Sequence, residues 1–184
     1  MGREHVLLYL LSGLFDKYGE VYGRKKIQKL LFLVEHYDLE SNRVVRSQGL
    51  TGYRFIVWLY GPFSKDIHDD LDTLVERGLI EEKILGSDSI PQVHGIRLSM
   101  YDDDGYPKTL YIYRPRNPPK RYRLNIQIAG DLARKIDQVV QLYGGMSPTE
   151  LEEHVNNLLK LTPEKKIRYW GVSMDEYLQA EGPI

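Results

Sequence analysis

Cysteine is absent from this chain. That single absence removes disulfide cross-links, thiolate zinc sites and a cysteine nucleophile together. Net charge is nearly absent too: 25 Lys and Arg stand against 26 Asp and Glu, giving −1 at pH 7. No global field therefore draws the molecule to nucleic acid or membrane, and any such binding has to come from local patches. The chain has no Walker loop, no GxSxG elbow, no HExxH helix, no internal repeat and no low-complexity tract. Its opening, MGREHVLLYLLSGLF, is basic and then apolar like a signal peptide, but Asp16-Lys17 interrupt the run and no small-residue cleavage pattern follows. The segment reads as a core helix of a cytoplasmic protein that does not enter a membrane. What is present is 184 residues, 42% apolar and 28% charged, enough for one well-buried core or a core with a small appendage.

The stretch Tyr53–Glu82 organises the rest. It reads as a buried strand over Tyr53–Tyr60, a Gly61-Pro62 turn, a helix capped by Ser64, and a stop at Gly78 before the apolar pair Leu79-Ile80. Ile67, Leu71, Leu74 and Val75 form that helix's apolar stripe. Upstream, residues 3–18 predict a helix that is apolar on nearly all sides, suited to the middle of a fold or to a partner's surface. A second helix from Arg24 to Tyr37 turns Ile27, Leu30, Leu31 and Val34 toward a core, and residues 38–52 read as a polar loop. After Gly78, Leu79–Leu85 is a strand, Ile96–Tyr101 and Thr109–Tyr113 pair as a hairpin, and Arg121–Ile126 alternates again. Helix 131–143 carries Leu132, Ile136, Val139 and Val140. Ser147-Pro148-Thr149-Glu150 is a capping box with proline at the first helical position, and Ser173–Glu176 repeats the box for a short last helix.

Gly23-Arg24-Lys25-Lys26-Ile27-Gln28-Lys29-Leu30, followed by Tyr53-x-Phe55 and Tyr60-Gly61-Pro62-Phe63-Ser64, resembles the YwgA-like prokaryotic proteins, in which a GRKKxQK helix precedes a YxF…YGPxS strand-turn-helix. More distantly it is similar to the Panacea antitoxin domain, with its KLQKLxY helix and xGP turn. The likeness covers roughly residues 3–82 and implies a fold more than an activity. A looser likeness to winged-helix regulators covers Gly78–Glu82, Tyr122–Asn125 and Gly130, and implies two wing strands leading to a helix that dimerises. The whole reads as α+β: a winged-helix-like helical core over residues 1–130 with a small antiparallel sheet and a β-hairpin inserted in the wing at 85–120. Residues 131–184 form a C-terminal helical extension, packed on the same core or used in dimerisation. Helices 24–37 and 64–78 are separated by a loop and a strand, unlike a tight helix-turn-helix, which argues against ordinary major-groove docking.

The chemistry admits two opposed readings of the same cations. Arg24, Lys25 and Lys26 occupy the first turn of a helix, with Lys29 following; there the helix dipole favours anions, so the lysines and exposed amides would suit a phosphate, or else form a solvated turn. Arg114, Arg116, Lys120, Arg121 and Arg123 are interleaved with Tyr113 and Tyr122, a composition for phosphate pairing and base stacking, or for a wing whose arginines pair with Asp102–Asp104 and the acidic helix. That helix, with Asp66, Asp69, Asp70, Asp72 and Glu76, is a poor reader of DNA. His68-Asp69-Asp70 diverge around a helix and do not converge on one ion unaided. The expected function is a nucleic-acid-associated or regulatory protein gripping the phosphate backbone of DNA or RNA as a homodimer. The alternative is an antitoxin-like module that holds a protein partner. A hydrolase, third, would need a metal-holding pocket at His68 or His36. No catalytic residue, metal ligand or cofactor is assigned.

Overall fold

The structure, a computed structural model, describes residues 2–86, 109–117 and 128–182. Helix α1 (Arg3–Tyr18) lies at the centre, with Val6, Leu7, Leu10, Leu11 and Leu14 almost wholly excluded from solvent. An all-round apolar helix is stable only where neighbours cover every side, and here they do so within one chain. Gly19 ends α1 in the left-handed region, its N–H returning to the Phe15 carbonyl.

Strand β1 (Val21–Tyr22) leads into α2 (Arg24–His36), and α3 (Lys65–Glu76) leads into the wing strands β6 (Ile80–Leu85) and β7 (Leu110–Pro115). Strand β7 lies between the other two, antiparallel to both: Val21 faces Tyr113, and Ile80 through Leu85 face Pro115 through Leu110. Helix, short strand, helix, helix and two wing strands, with the short strand against the returning one, is the winged-helix order. The returning wing strand is thus 110–115, which the sequence assigned to an inserted hairpin. Its expected partner 96–101, and the expected wing strand 121–126, lie outside the described residues.

Between α2 and α3 the chain inserts what replaces a tight turn. Residues 38–52 are not merely a loop: β2 (Tyr37–Asp38) pairs with β3 (Arg43–Val44). Next, β4 (Ile56–Trp58) folds back on β5 (Gly61–Phe63), Trp58 facing Gly61. The reversal falls at Leu59-Tyr60, so Gly61-Pro62 belong to a strand, correcting the expected turn. Pro62 tolerates this because its partner strand is short and at an edge.

The remaining helices are α4 (Gly130–Tyr143), α5 (Pro148–Leu158), α6 (Pro163–Arg168) and α7 (Met174–Glu181). Leu132, Ile136, Val139, Val140, Leu151, Val155 and Tyr177 enter the same apolar cluster as α1 and α2. The stripe on α4 that a dimer would have used is therefore covered inside the chain. Both capping boxes form, Ser147 with Glu150 and Ser173 with Glu176. Residues 171–174 are stitched to β4 by main-chain bonds, Val57 N–H to Val172 O at 2.8 Å and Met174 N–H to Phe55 O at 2.8 Å.

Candidate functional site

Helix α2 and strand β5 are joined by two side chains from one helical turn. The Gln28 amide clamps the backbone of Ser64 from both sides, donating to its carbonyl at 2.7 Å and accepting from its N–H at 2.9 Å. The Lys29 ammonium donates to the Pro62 carbonyl at 2.8 Å. These bonds satisfy main-chain groups that the short β5 ladder and the start of α3 leave over. Ser64 is the N-cap residue by position, yet its hydroxyl makes no cap bond and is buried without a partner; Gln28 holds this helix start instead.

Lys29 was expected to grip a phosphate or to belong to a solvated turn, but it is only 2% exposed. Burial drives its ammonium down to about 7; Glu152 pulls the other way, and Lys25 and Lys166 add to the fall. Gly61, beside it, has φ +85, and a side chain there would collide with the Asn156 Oδ1 atom. A glycine is therefore required on two counts, conformation and space.

Lys29, Gln28, Gly61 and Pro62 form the floor of a cleft of ≈ 540 Å³. Its walls include Trp58, Tyr60, Phe63, His68 and Tyr111, and Arg24, Lys25 and Pro148 also line it. An aromatic row continues outward: Trp58 stacks on Phe63 at 5.9 Å and lies 4.4 Å from Trp170, while Phe63 meets His68 edge-on at 5.2 Å. Beyond it Leu59, Ile167 and Trp170 are exposed by 43%, 77% and 48%.

The expected anion contacts are held as follows. The Arg24 guanidinium lies 2.7 Å from Asp72, 2.9 Å from Glu82 and 2.8 Å from the Tyr113 hydroxyl, and 4.2 Å above the Tyr111 ring. Lys25 pairs with Glu152 at 2.6 Å and sits 4.2 Å over the Tyr60 ring. Lys26 is half-buried beside the Tyr18 ring, away from the cleft, and burial lowers its pKa. Arg114 pairs with Glu20 at 2.5 Å and Arg116 with Glu81 at 3.4 Å. Tyr113 is fully buried with its hydroxyl on Glu82, so it has no face to offer a base. Lys120, Arg121, Tyr122 and Arg123 lie outside the described residues. The two basic segments do meet, where Arg24 touches Tyr111 and Tyr113, but Arg24, Lys25, Arg114 and Arg116 are each already paired with a carboxylate. Acidic α3 is tied down likewise: Arg3 bonds Asp66 and Asp70, and the Tyr53 hydroxyl donates to Asp70 at 2.8 Å. Among the described residues no group of three or more histidine or carboxylate side chains is placed to hold a metal ion.

The family model for the antitoxin SocA-like Panacea domain matches residues 27–158, well over half of the 184-residue chain. The chain belongs to the Panacea family. Comparison with curated proteins and with solved structures returned no match. The YwgA-like label stays a resemblance in motif. The Panacea match takes in the cleft floor and the Trp58–Phe63 wall, while Arg24, Lys25 and Trp170 fall outside it. No helix among the described residues is long and apolar enough to cross a membrane.

Sequence reasoning missed the roles of Gln28, Trp58, Tyr60 and Trp170. One signal was there: Gln28 lies on the apolar face defined by Ile27, Leu31 and Val34, where a polar side chain needs a buried partner. Helix α6 was missed as well, although Thr162-Pro163 repeats the cap-and-proline signal of Ser147-Pro148.

Proposed function

We propose that this chain is an antitoxin-like protein-interaction module: a winged-helix-like scaffold that holds a partner protein rather than a nucleic-acid backbone. Its membership of the Panacea family carries the reading, and the state of its charges supports it. Gripping phosphates through Arg24, Lys25, Arg114 or Arg116 means first breaking an ion pair with a carboxylate on the same surface, which removes much of the electrostatic gain such binding depends on. The aromatic row and the apolar apron at Leu59, Ile167 and Trp170 offer what protein interfaces use instead, flat rings with little rotamer entropy to lose.

The test is affinity capture with the full chain from its native cells, followed by reconstitution. The expected result is a stoichiometric partner that arrests growth when expressed alone and is relieved by co-expression of this chain. A clean homodimer with no partner, together with salt-sensitive binding to duplex DNA or RNA, would return the molecule to the nucleic-acid reading.

A further inference from the structure

The cleft over Lys29 has a feature that structural packing alone does not call for. The ammonium is buried and, among the described residues, makes one hydrogen bond, to a neutral carbonyl. Among the described residues no carboxylate comes within ion-pair distance of it, the Glu152 carboxylate being engaged by Lys25. An ammonium has three donors, and a buried cation is costly unless an anion shares its site. Nothing inside the described chain supplies that anion, yet the ammonium lines an open cleft that could admit one.

We propose that this cleft is a binding site for a carboxylate carried on an apolar body, and that its occupant is the chain-terminal carboxylate and last side chain of a partner protein. The partner part rests on the function proposed above. Three observations select the ligand. At ≈ 540 Å³ the cleft has the size of a small-molecule pocket, room for a chain end and not for a folded surface. Arg24 is matched by Asp72 and Glu82, and Lys25 by Glu152, so the one uncompensated charge on the floor suits a monoanion better than a phosphate. Trp58, Tyr60, Phe63 and Tyr111 give the apolar walls that the terminal side chain requires. Capture of a free carboxylate beside a side-chain pocket is an established way of reading a chain end.

The cleft's resting charge follows from its neighbours. Glu152 on α5 favours the Lys29 ammonium, Lys25 on α2 and Lys166 on α6 oppose it, and burial and Arg24 lower the pKa of His68 on the wall, against the pull of Asp72 and Asp69. Seating a carboxylate on Lys29 restores the charged amine, so binding takes up a proton and weakens as pH rises from about neutrality.

Trp58 in the wall makes intrinsic fluorescence a direct readout. The probes are an acetylated tetrapeptide ending in phenylalanine as free acid, the same peptide as the C-terminal amide, and phenylpropionate. The free acid should bind at least tenfold more tightly than the amide, and Lys29→Met, shown folded by circular dichroism, should abolish that preference. Equal responses to acid and amide, including no response to either, overturn the carboxylate site without any reliance on the variant. Phenylpropionate binding as tightly as the peptide acid overturns the chain-terminal part and assigns the cleft to a small carboxylate. With the partner recovered by affinity capture, deleting its last three residues should weaken the complex at least tenfold. A complex indifferent to that deletion and to Lys29→Met overturns the inference and leaves the interaction module standing. Failure to find any partner removes the module, while the acid and amide titrations still judge the cleft.

Discussion

Replacing Lys29 by methionine should stabilise the protein in mildly acidic solution and cease to do so in alkali. The native amine is held at about 7 against an ordinary value of 10.5. The unfolded chain therefore binds more protons than the folded one between those values, and wild-type stability rises with pH across that window. At about pH 6 the deficit has fully developed and amounts to about 5 kcal/mol, at about 1.4 kcal/mol per pKa unit. Methionine fills a comparable volume with no charge to bury, but it leaves the Pro62 carbonyl without its donor, at a cost of about 1–3 kcal/mol. The net gain is then about 2–4 kcal/mol, or roughly 5–15 °C in Tm for a chain of this size. At about pH 9.5 the wild type has recovered about 3 kcal/mol of its deficit, so the advantage should vanish or reverse. Urea unfolding followed by circular dichroism at both pH values measures the crossing. A variant destabilised equally at both would mean that Lys29 is charged and paired in the native state, and the account of the cleft floor would fail with it.

Gln28→Leu should cost about 1–3 kcal/mol, because the Ser64 N–H loses its partner inside the core while its carbonyl keeps only the longer bond from the Ile67 N–H; chemical denaturation checks this. Glu35→Gln should cost about 2–4 kcal/mol, because the carboxylate accepts from Ser47 Oγ, Leu50 N–H and both donors of Thr51 and so fixes the loop before Tyr53. Burial pushes the Glu35 carboxyl up, but those bonds outweigh it and hold it below its ordinary 4.5; its contribution is present above that value and is lost as pH falls through the lowered one, which an acid titration of Glu35→Gln against wild type reads. Burial holds His36 below its ordinary 6.5, so the unfolded chain protonates first and stability falls as pH drops below about that value; His36→Gln should flatten the decline. Gly61→Ala should destabilise by at least about 1–2 kcal/mol from its left-handed backbone alone, and adding Asn156→Ala should relieve the collision but not the backbone strain, as a double-mutant cycle would show.

The winged-helix order was legible because it is written in strong local signals: the all-round apolar α1, the glycines at 19, 23 and 78, and the apolar pair Leu79-Ile80 that opens the wing after Gly78. The α4 stripe was equally legible, but whether it faces a core or a second copy is a long-range fact, and only its packing against α1 and α2 decided it. Short ladders such as β1 and β2 with β3 carry two residues per strand, too few for any periodicity to register. The cations misled for a related reason. A lysine in the first turns of an amphipathic helix looks solvated from its spacing, and nothing local distinguishes Lys26, beside a tyrosine ring, from Lys29, three residues on and closed off by β5. The ion pairs of Arg24 with Glu82 and of Arg114 with Glu20 join residues 58 and 94 positions apart, so the neutralisation of the basic segments was invisible in the sequence.

The insertion between α2 and α3 links fold to function. In a compact helix-turn-helix those two helices meet directly, and the second is free to enter a groove. Here residues 38–63 come between them. Strand β5 lies alongside the start of α2, Gln28 and Lys29 grip its backbone, and α3 is aimed by that contact and by Arg3 rather than by a tight turn. The same wedge that removes the DNA-reading geometry creates the cleft, since its floor is the seam between α2 and β5 and its walls are the aromatic residues of the β4–β5 hairpin. The motif residues shared by the two segments, Gln28 and Lys29 on one side and Gly61, Pro62 and Ser64 on the other, are therefore one device. They hold the inserted hairpin against the helix, and they leave the buried Lys29 amine on the floor of the cleft between them.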